Sequence, residues 1–253
     1  MAKRNKLRSF SVAALTATAL FAAQPAAAQP AAADIIEINN FWAGSGTATI
    51  DFTGQNWHDG STVTGLHEVG GLGGFKTYDL TTDPNKRNAF QSFCVDIFDS
   101  FNFAVDSNDT QLPATVISSQ AAADLGRLYT NHHNAIDSTQ STGEDESAFQ
   151  LAVWEIVNDR AEGAYSLTSG NFKATGTGST LAQAWLTELG MPSDSSYVAN
   201  IWKVQSMITQ GKGYAQDVVV FAPVPEPQTY AMMLVGLGLL GFSARRTKYQ
   251  FLG

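Results

Sequence analysis

From Ile35 to Phe101 the chain alternates apolar and polar residues in short runs. Segments such as TATIDF, GGFKTYDL and AFQSFCVDIF are separated by clusters of Gly, Asn and Asp. Alternation of period two, broken by turn residues, predicts β-strands, and several in succession predict a barrel or a sandwich. After Pro113 the period lengthens. SSQAAADLGRLYTNHH spaces its leucines for a helix, and ESAFQLAVWEIVND sets Phe149, Ala152, Val153, Ile156 and Val157 at i, i+3, i+4, i+7 and i+8. Acidic Glu144, Asp145 and Glu146 complement the dipole at the start of that helix. Two further helices are predicted, TLAQAWLTELG ending at Gly190 and SYVANIWKVQSMITQG ending at Gly211. TSGNFKATGTGS reads as a loop or β-ribbon, and AQDVVVFAP as a last strand. The expected fold is α+β: barrel- or sandwich-like N-terminal strands, a helical insertion and a returning C-terminal strand, within one domain over residues 35–222.

Both ends of the chain have a different pattern. Lys3, Arg4, Lys6 and Arg8 precede an apolar run from Phe10 to Ala23, and QPAAAQP follows with small residues suited to cleavage near Ala28. This is the pattern of a secretory signal helix over residues 1–28, with 29–34 as a linker. At the other end Pro225-Glu226-Pro227 leads into an apolar, glycine-rich run from about Tyr230 to Phe242, then Arg245, Arg246 and Lys248. The run is shorter than the ~20 residues of a comfortable spanning helix, so it reads as a weak membrane helix with a cytoplasmic basic tail.

Those last residues, 223–250, resemble a PEP-CTERM sorting signal: a Val-Pro-Glu-Pro motif, a short apolar helix and a basic cluster, with Pro225, Glu226, Pro227, Arg245 and Arg246 as its motif residues. The resemblance implies recognition by an exosortase-type processing enzyme in the membrane of a Gram-negative bacterium. It also implies transient anchoring in the inner membrane, then delivery to the cell surface or the extracellular matrix. Removing the leader and the tail beyond Pro227 takes away seven of the 15 basic residues and none of the 23 acidic ones, leaving 8 against 23, a net charge of −15. Such a balance argues against nucleic acid or anionic lipid as a partner.

Cys94 is the only cysteine, so no disulfide is available to an exported chain. Alternation in FQSFCVDIF puts Phe93, Val95 and Ile97 on one face and Cys94 on the other with Ser92 and Asp96, a mixed polar face. On the helix, Gln150 lies beside the apolar stripe, with Trp154 one turn further along the same side. A glutamine so placed needs partners for its amide. Phe93-Cys94 and Gln150-Leu151-Ala152-Val153-Trp154 together resemble the paired motifs of thioester domains in bacterial surface adhesins, although Phe149 stands where many members have threonine. The resemblance implies a Cys94–Gln150 thioester inside an α+β domain and covalent capture of an amine-bearing partner, such as lysine on a protein or an amine of the matrix. It implies a single covalent event and no turnover, hence no enzyme, and no cofactor. Phe93, Phe149 and Trp154 are the expected shield against water, and His67, His132 and His133 the histidines considered as a base. The alternative is a non-covalent structural protein of the extracellular polysaccharide matrix, in which Cys94 and Gln150 only pack.

Other constellations carry less. TNHHNAID with GEDE offers imidazoles and carboxylates, but adjacent loop histidines point apart and no metal site is expected. VDSNDTQ and DLTTDPN echo fragments of calcium loops without the sixth-position glycine or the closing glutamate. GGLGGF precedes a strand, not a phosphate-binding helix, and neither Gly-x-Ser-x-Gly nor His-Glu-x-x-His occurs.

Overall fold

A computed structural model describes residues 35–57, 59–98, 103, 105–112, 117–137, 139–159, 164–189, 195–206, 216–224 and 235–237. The signal helix, the membrane helix apart from residues 235–237, and the Pro225, Glu226, Pro227, Arg245 and Arg246 motif lie outside them. Among the described residues no helix is long and apolar enough to cross a membrane.

Strands and helices are mixed. β1 (Ile35–Phe41), β2 (Gly46–Gln55), β3 (Thr62–Leu72), β4 (Phe75–Asp79), β5 (Ala89–Cys94) and β6 (Val105–Leu112) come first. They are followed by α1 (Ser119–Ile136), α2 (Gly143–Asn158), β7 (Phe172–Gly176), α3 (Ser179–Glu188), β8 (Tyr197–Ser206) and β9 (Val218–Pro223). Two antiparallel sheets result. One has the order β1-β4-β5-β9-β8-β6, and β1 pairs with both β4 and β6, so these six strands run round into a closed ring. The other is the three-stranded sheet β3-β2-β7. The expected block of N-terminal strands is therefore divided, with β2 and β3 leaving it to pair with a strand from the helical half.

In β2 the alternation behaves as its residues dictate: Ala48, Ile50 and Phe52 are buried, while Thr47, Asp51 and Thr53 face solvent. Helix α2 is closed at its start by a capping box, in which Thr142 accepts from the Asp145 N–H and the Asp145 carboxylate accepts from the Thr142 N–H. It touches α1, α3 and strands of both sheets, and every residue from Glu146 to Asn158 is buried. The apolar stripe thus understates α2, which is surrounded rather than laid on a surface. Gly178 lets α3 approach it: at φ 76° it starts α3, and a Cβ there would come within 2.7 Å of the Ala148 nitrogen.

Two expectations are corrected. SYVANIWKVQSMITQG is not a helix where it is described: Tyr197–Ser206 is strand β8, paired with β6 on one side and β9 on the other. Val198, Ile201 and Trp202 imitate helical spacing, but two ready strand partners override that local pattern. VDSNDTQ, which has neither the glycine nor the glutamate of a calcium loop, forms the body of β6, paired with β1 and β8. His132 and His133 lie near the end of α1, His133 in its last turn, not in a loop.

Candidate functional site: the Cys94–Gln150 junction

β5 ends at Cys94, and the geometry of that end is set by the strands beside it. Val95 donates its N–H to the Asp217 carbonyl on the β9 side, so the backbone groups of Cys94, one residue earlier, point the opposite way. There β4 has already finished its pairing, with Phe75 opposite Ser92. Gln150 of α2 fills the gap. Its Oε1 accepts from the Cys94 N–H at 3.0 Å, and its Nε2 donates to the Cys94 carbonyl at 2.7 Å. A side-chain amide takes the place of a strand neighbour and satisfies two backbone groups that would otherwise be buried unpaired.

The Cys94 side chain is fully buried, and its Sγ–H donates to the Asp96 carbonyl at 2.8 Å. Burial, and next the charge of Asp96, push the thiol well above its ordinary value, with Asp217 adding in the same direction. The Trp154 indole N–H has no full hydrogen bond among the described residues, yet it lies close enough to the sulfur to oppose that rise. The thiol is therefore protonated at neutral pH, and a proton acceptor is needed before the sulfur can attack. Asp96 and Asp217, both buried, are the carboxylates that act on it.

The residues singled out in the sequence do not all meet here. Phe93 and Phe149 meet at 4.5 Å between ring centroids, their planes tilted by 43°, tying β5 to α2 beside the pair. Phe149 continues edge-on to Tyr129 and Phe221, so it belongs to an aromatic cluster reaching α1 and β9. The three histidines sit elsewhere. His67 is exposed on β3 and hydrogen-bonds Asp51 at 2.6 Å, which raises its pKa. His132 stacks on Trp185, and His133 contacts the Tyr129 and Thr130 carbonyls. None is among the groups acting on the thiol. Among the described residues no cluster of three His, Cys, Asp or Glu is arranged to hold a metal.

Sequence reasoning missed the carboxylates. Asp96 had one signal, its place two residues beyond Cys94 on the same face; Asp217 had none. Nor did the sequence mark Glu146, which does more than complement a dipole. It accepts from the Gly74 N–H, from the Gln91 amide and from Ser141, and burial pushes its pKa up to about 7. Glu155 accepts from the Ser166 N–H at 2.6 Å while its other oxygen has no hydrogen-bond partner among the described residues; burial pushes it up to about 8.

Comparison with known proteins adds one finding. Residues 223–246 match the PEP-CTERM protein-sorting motif, a span that includes Pro225, Glu226, Pro227, Arg245 and Arg246. The motif implies processing by an exosortase-type membrane enzyme and export through the membrane to the cell surface. No curated protein and no solved structure matches the chain.

Proposed function

We propose that this exported, exosortase-sorted protein stores an internal thioester between Cys94 and Gln150 and uses it once, to attach itself to an amine-bearing protein or matrix component. The observation that carries the reading is the seating of the Gln150 amide on Cys94, with the carbonyl oxygen 3.0 Å from the Cys94 nitrogen. In attack by sulfur the Sγ–Cδ bond forms, the Cδ–Nε2 bond breaks, and the thiol proton departs on ammonia. The charge of the tetrahedral intermediate falls on Oε1, where the Cys94 N–H is already donating. An amine later displaces the thiolate, a much better leaving group (thiol pKa ~8.5) than ammonia, and an amide to the partner results. In this reading Asp96 or Asp217 takes the proton, and Phe93, Phe149 and Trp154 keep water from the bond.

One observation favours a second reading, a non-covalent structural protein of the matrix: both ends of the Gln150 amide are already satisfied by backbone, so the residue also makes sense as a clamp. Intact mass of the purified mature chain separates the two, since loss of ammonia leaves a ~17 Da deficit. The thioester reading expects that deficit in wild type, its absence in Cys94→Ala, and a covalent adduct with methylamine. Full mass in wild type together with no methylamine adduct would overturn it.

A further inference from the structure

A cavity of about 480 Å3 lies between the β2–β3 hairpin, the Ile97–Phe98 turn just beyond Cys94, and Trp154. This is the size of a small-molecule site. Three of its walls are phenyl rings in mutual contact: Phe41 and Phe75 at 5.8 Å, Phe41 and Phe103 at 5.1 Å, Phe75 and Phe103 at 6.1 Å between centroids. Among the described residues lining it, Glu68 is the one with a charged side chain. Glu68 stands opposite buried Ile50 in the β2–β3 register, so it shares the inward face of the hairpin. Glu68 is exposed, and its charge acts on the neighbouring His67.

We propose that this cavity binds organic ammonium groups, the phenyl rings offering their faces and Glu68 the counter-charge. A cation over an aromatic face gains from the ring quadrupole, and a neutral group of the same shape does not. The acidic balance of the chain, net −8, favours approach of such a ligand. Trp154 both lines the cavity and lies beside the Cys94 thiol, so one side chain is a wall shared by the cavity and the Cys94–Gln150 pair. Only the cavity's use as the route for a captured amine rests on the thioester reading; the cation preference does not.

The test uses the full mature chain and two probes of equal shape, choline and its uncharged isostere 3,3-dimethylbutan-1-ol, followed by calorimetry. Choline is expected to bind at least about fivefold more tightly than the alcohol, a difference of the size that ring faces and one carboxylate supply. Glu68→Gln is expected to remove most of the difference, and Phe103→Ala to weaken choline with little effect on the alcohol. Cys94→Ala should retain the preference, which keeps the outcome separate from that of the mass measurement. Equal affinities for the two probes, or no binding of choline at millimolar concentration, would overturn the proposal. So would a Glu68→Gln chain that binds choline unchanged but self-associates, because Glu68 would then be guarding an open strand edge.

Discussion

The end of β5 and the edge of β3 are both places where a strand runs out of neighbours, and the chain treats them in opposite ways. At Cys94 the missing partner is replaced by the Gln150 amide, two hydrogen bonds deep in the core. Along β3 the outer edge pairs with no strand among the described residues, Val69 is 69% exposed, and Glu68 lines a cavity. The first solution makes a dry, rigid junction and the second a surface that a ligand can reach. A reactive acyl group needs both: water kept from the bond, and an approach for the nucleophile. Mutations should therefore fall hard on one region and lightly on the other, and the comparison fails if they do not.

The largest loss is expected from Phe149→Ala. This ring is fully buried and touches Phe93, Tyr129, Trp185 and Phe221, so its removal opens a space bounded by α1, α2, α3 and two strands of the six-stranded sheet. Truncations of that kind cost about 3–5 kcal/mol, which would show as a large drop in the denaturant midpoint. A cost below about 1 kcal/mol would mean that the junction is not the tightly packed region described above.

Gln150→Ala comes next. It strands the N–H and carbonyl of Cys94 in a buried site, at about 1–3 kcal/mol for each unsatisfied group, and leaves the volume of the amide unfilled. Equilibrium unfolding measures the loss, and both readings of the site expect it. A thioester adds a further signature, since the variant would show neither the mass deficit nor the methylamine adduct.

Some of this was legible in the sequence and some was not, for physical reasons. Helix α2 announced itself because its acidic start and apolar spacing are local, Cys94 was noticeable as a lone cysteine on a mixed polar face, and Gln150 as an amide beside an apolar stripe. β8 was misread because Val198, Ile201 and Trp202 fit a helix equally well; only β6 and β9, far along the chain, decide the matter. β6 itself has almost no apolar alternation and is a strand because both neighbours supply hydrogen bonds. Glu146 read only as a complement to the helix dipole and Glu155 carried no signal, since nothing local tells a carboxylate that α2 will be enclosed.

That enclosure has a pH signature. Glu155 is raised from its ordinary 4.5 to about 8 and Glu146 to about 7, in each case chiefly by burial. The folded state therefore holds these protons more tightly than the unfolded chain does. Their contribution to stability is fully present below the unfolded value and is lost as pH rises through the folded one. Thermal midpoints are expected to fall between roughly pH 4.5 and 8. Glu155→Gln should flatten that profile without abolishing it, because Glu146 remains, and the variant should gain on wild type toward the alkaline end. An unchanged slope in Glu155→Gln would show that this carboxyl does not carry the proton.

The smallest effect is expected at the open edge. Val69 stands opposite Thr49 in the β2–β3 register and is mostly in water, so Val69→Thr keeps β-branching and removes little buried surface. A shift within about 0.5 kcal/mol in equilibrium unfolding is expected. Phe52→Ala provides the contrast within the same sheet, since that ring is buried on the inward face and its truncation should cost about 3–5 kcal/mol. If Val69→Thr cost as much, the outer edge of β3 would be covered in solution. The cavity beside it would then be part of an interface, with no open path toward Trp154.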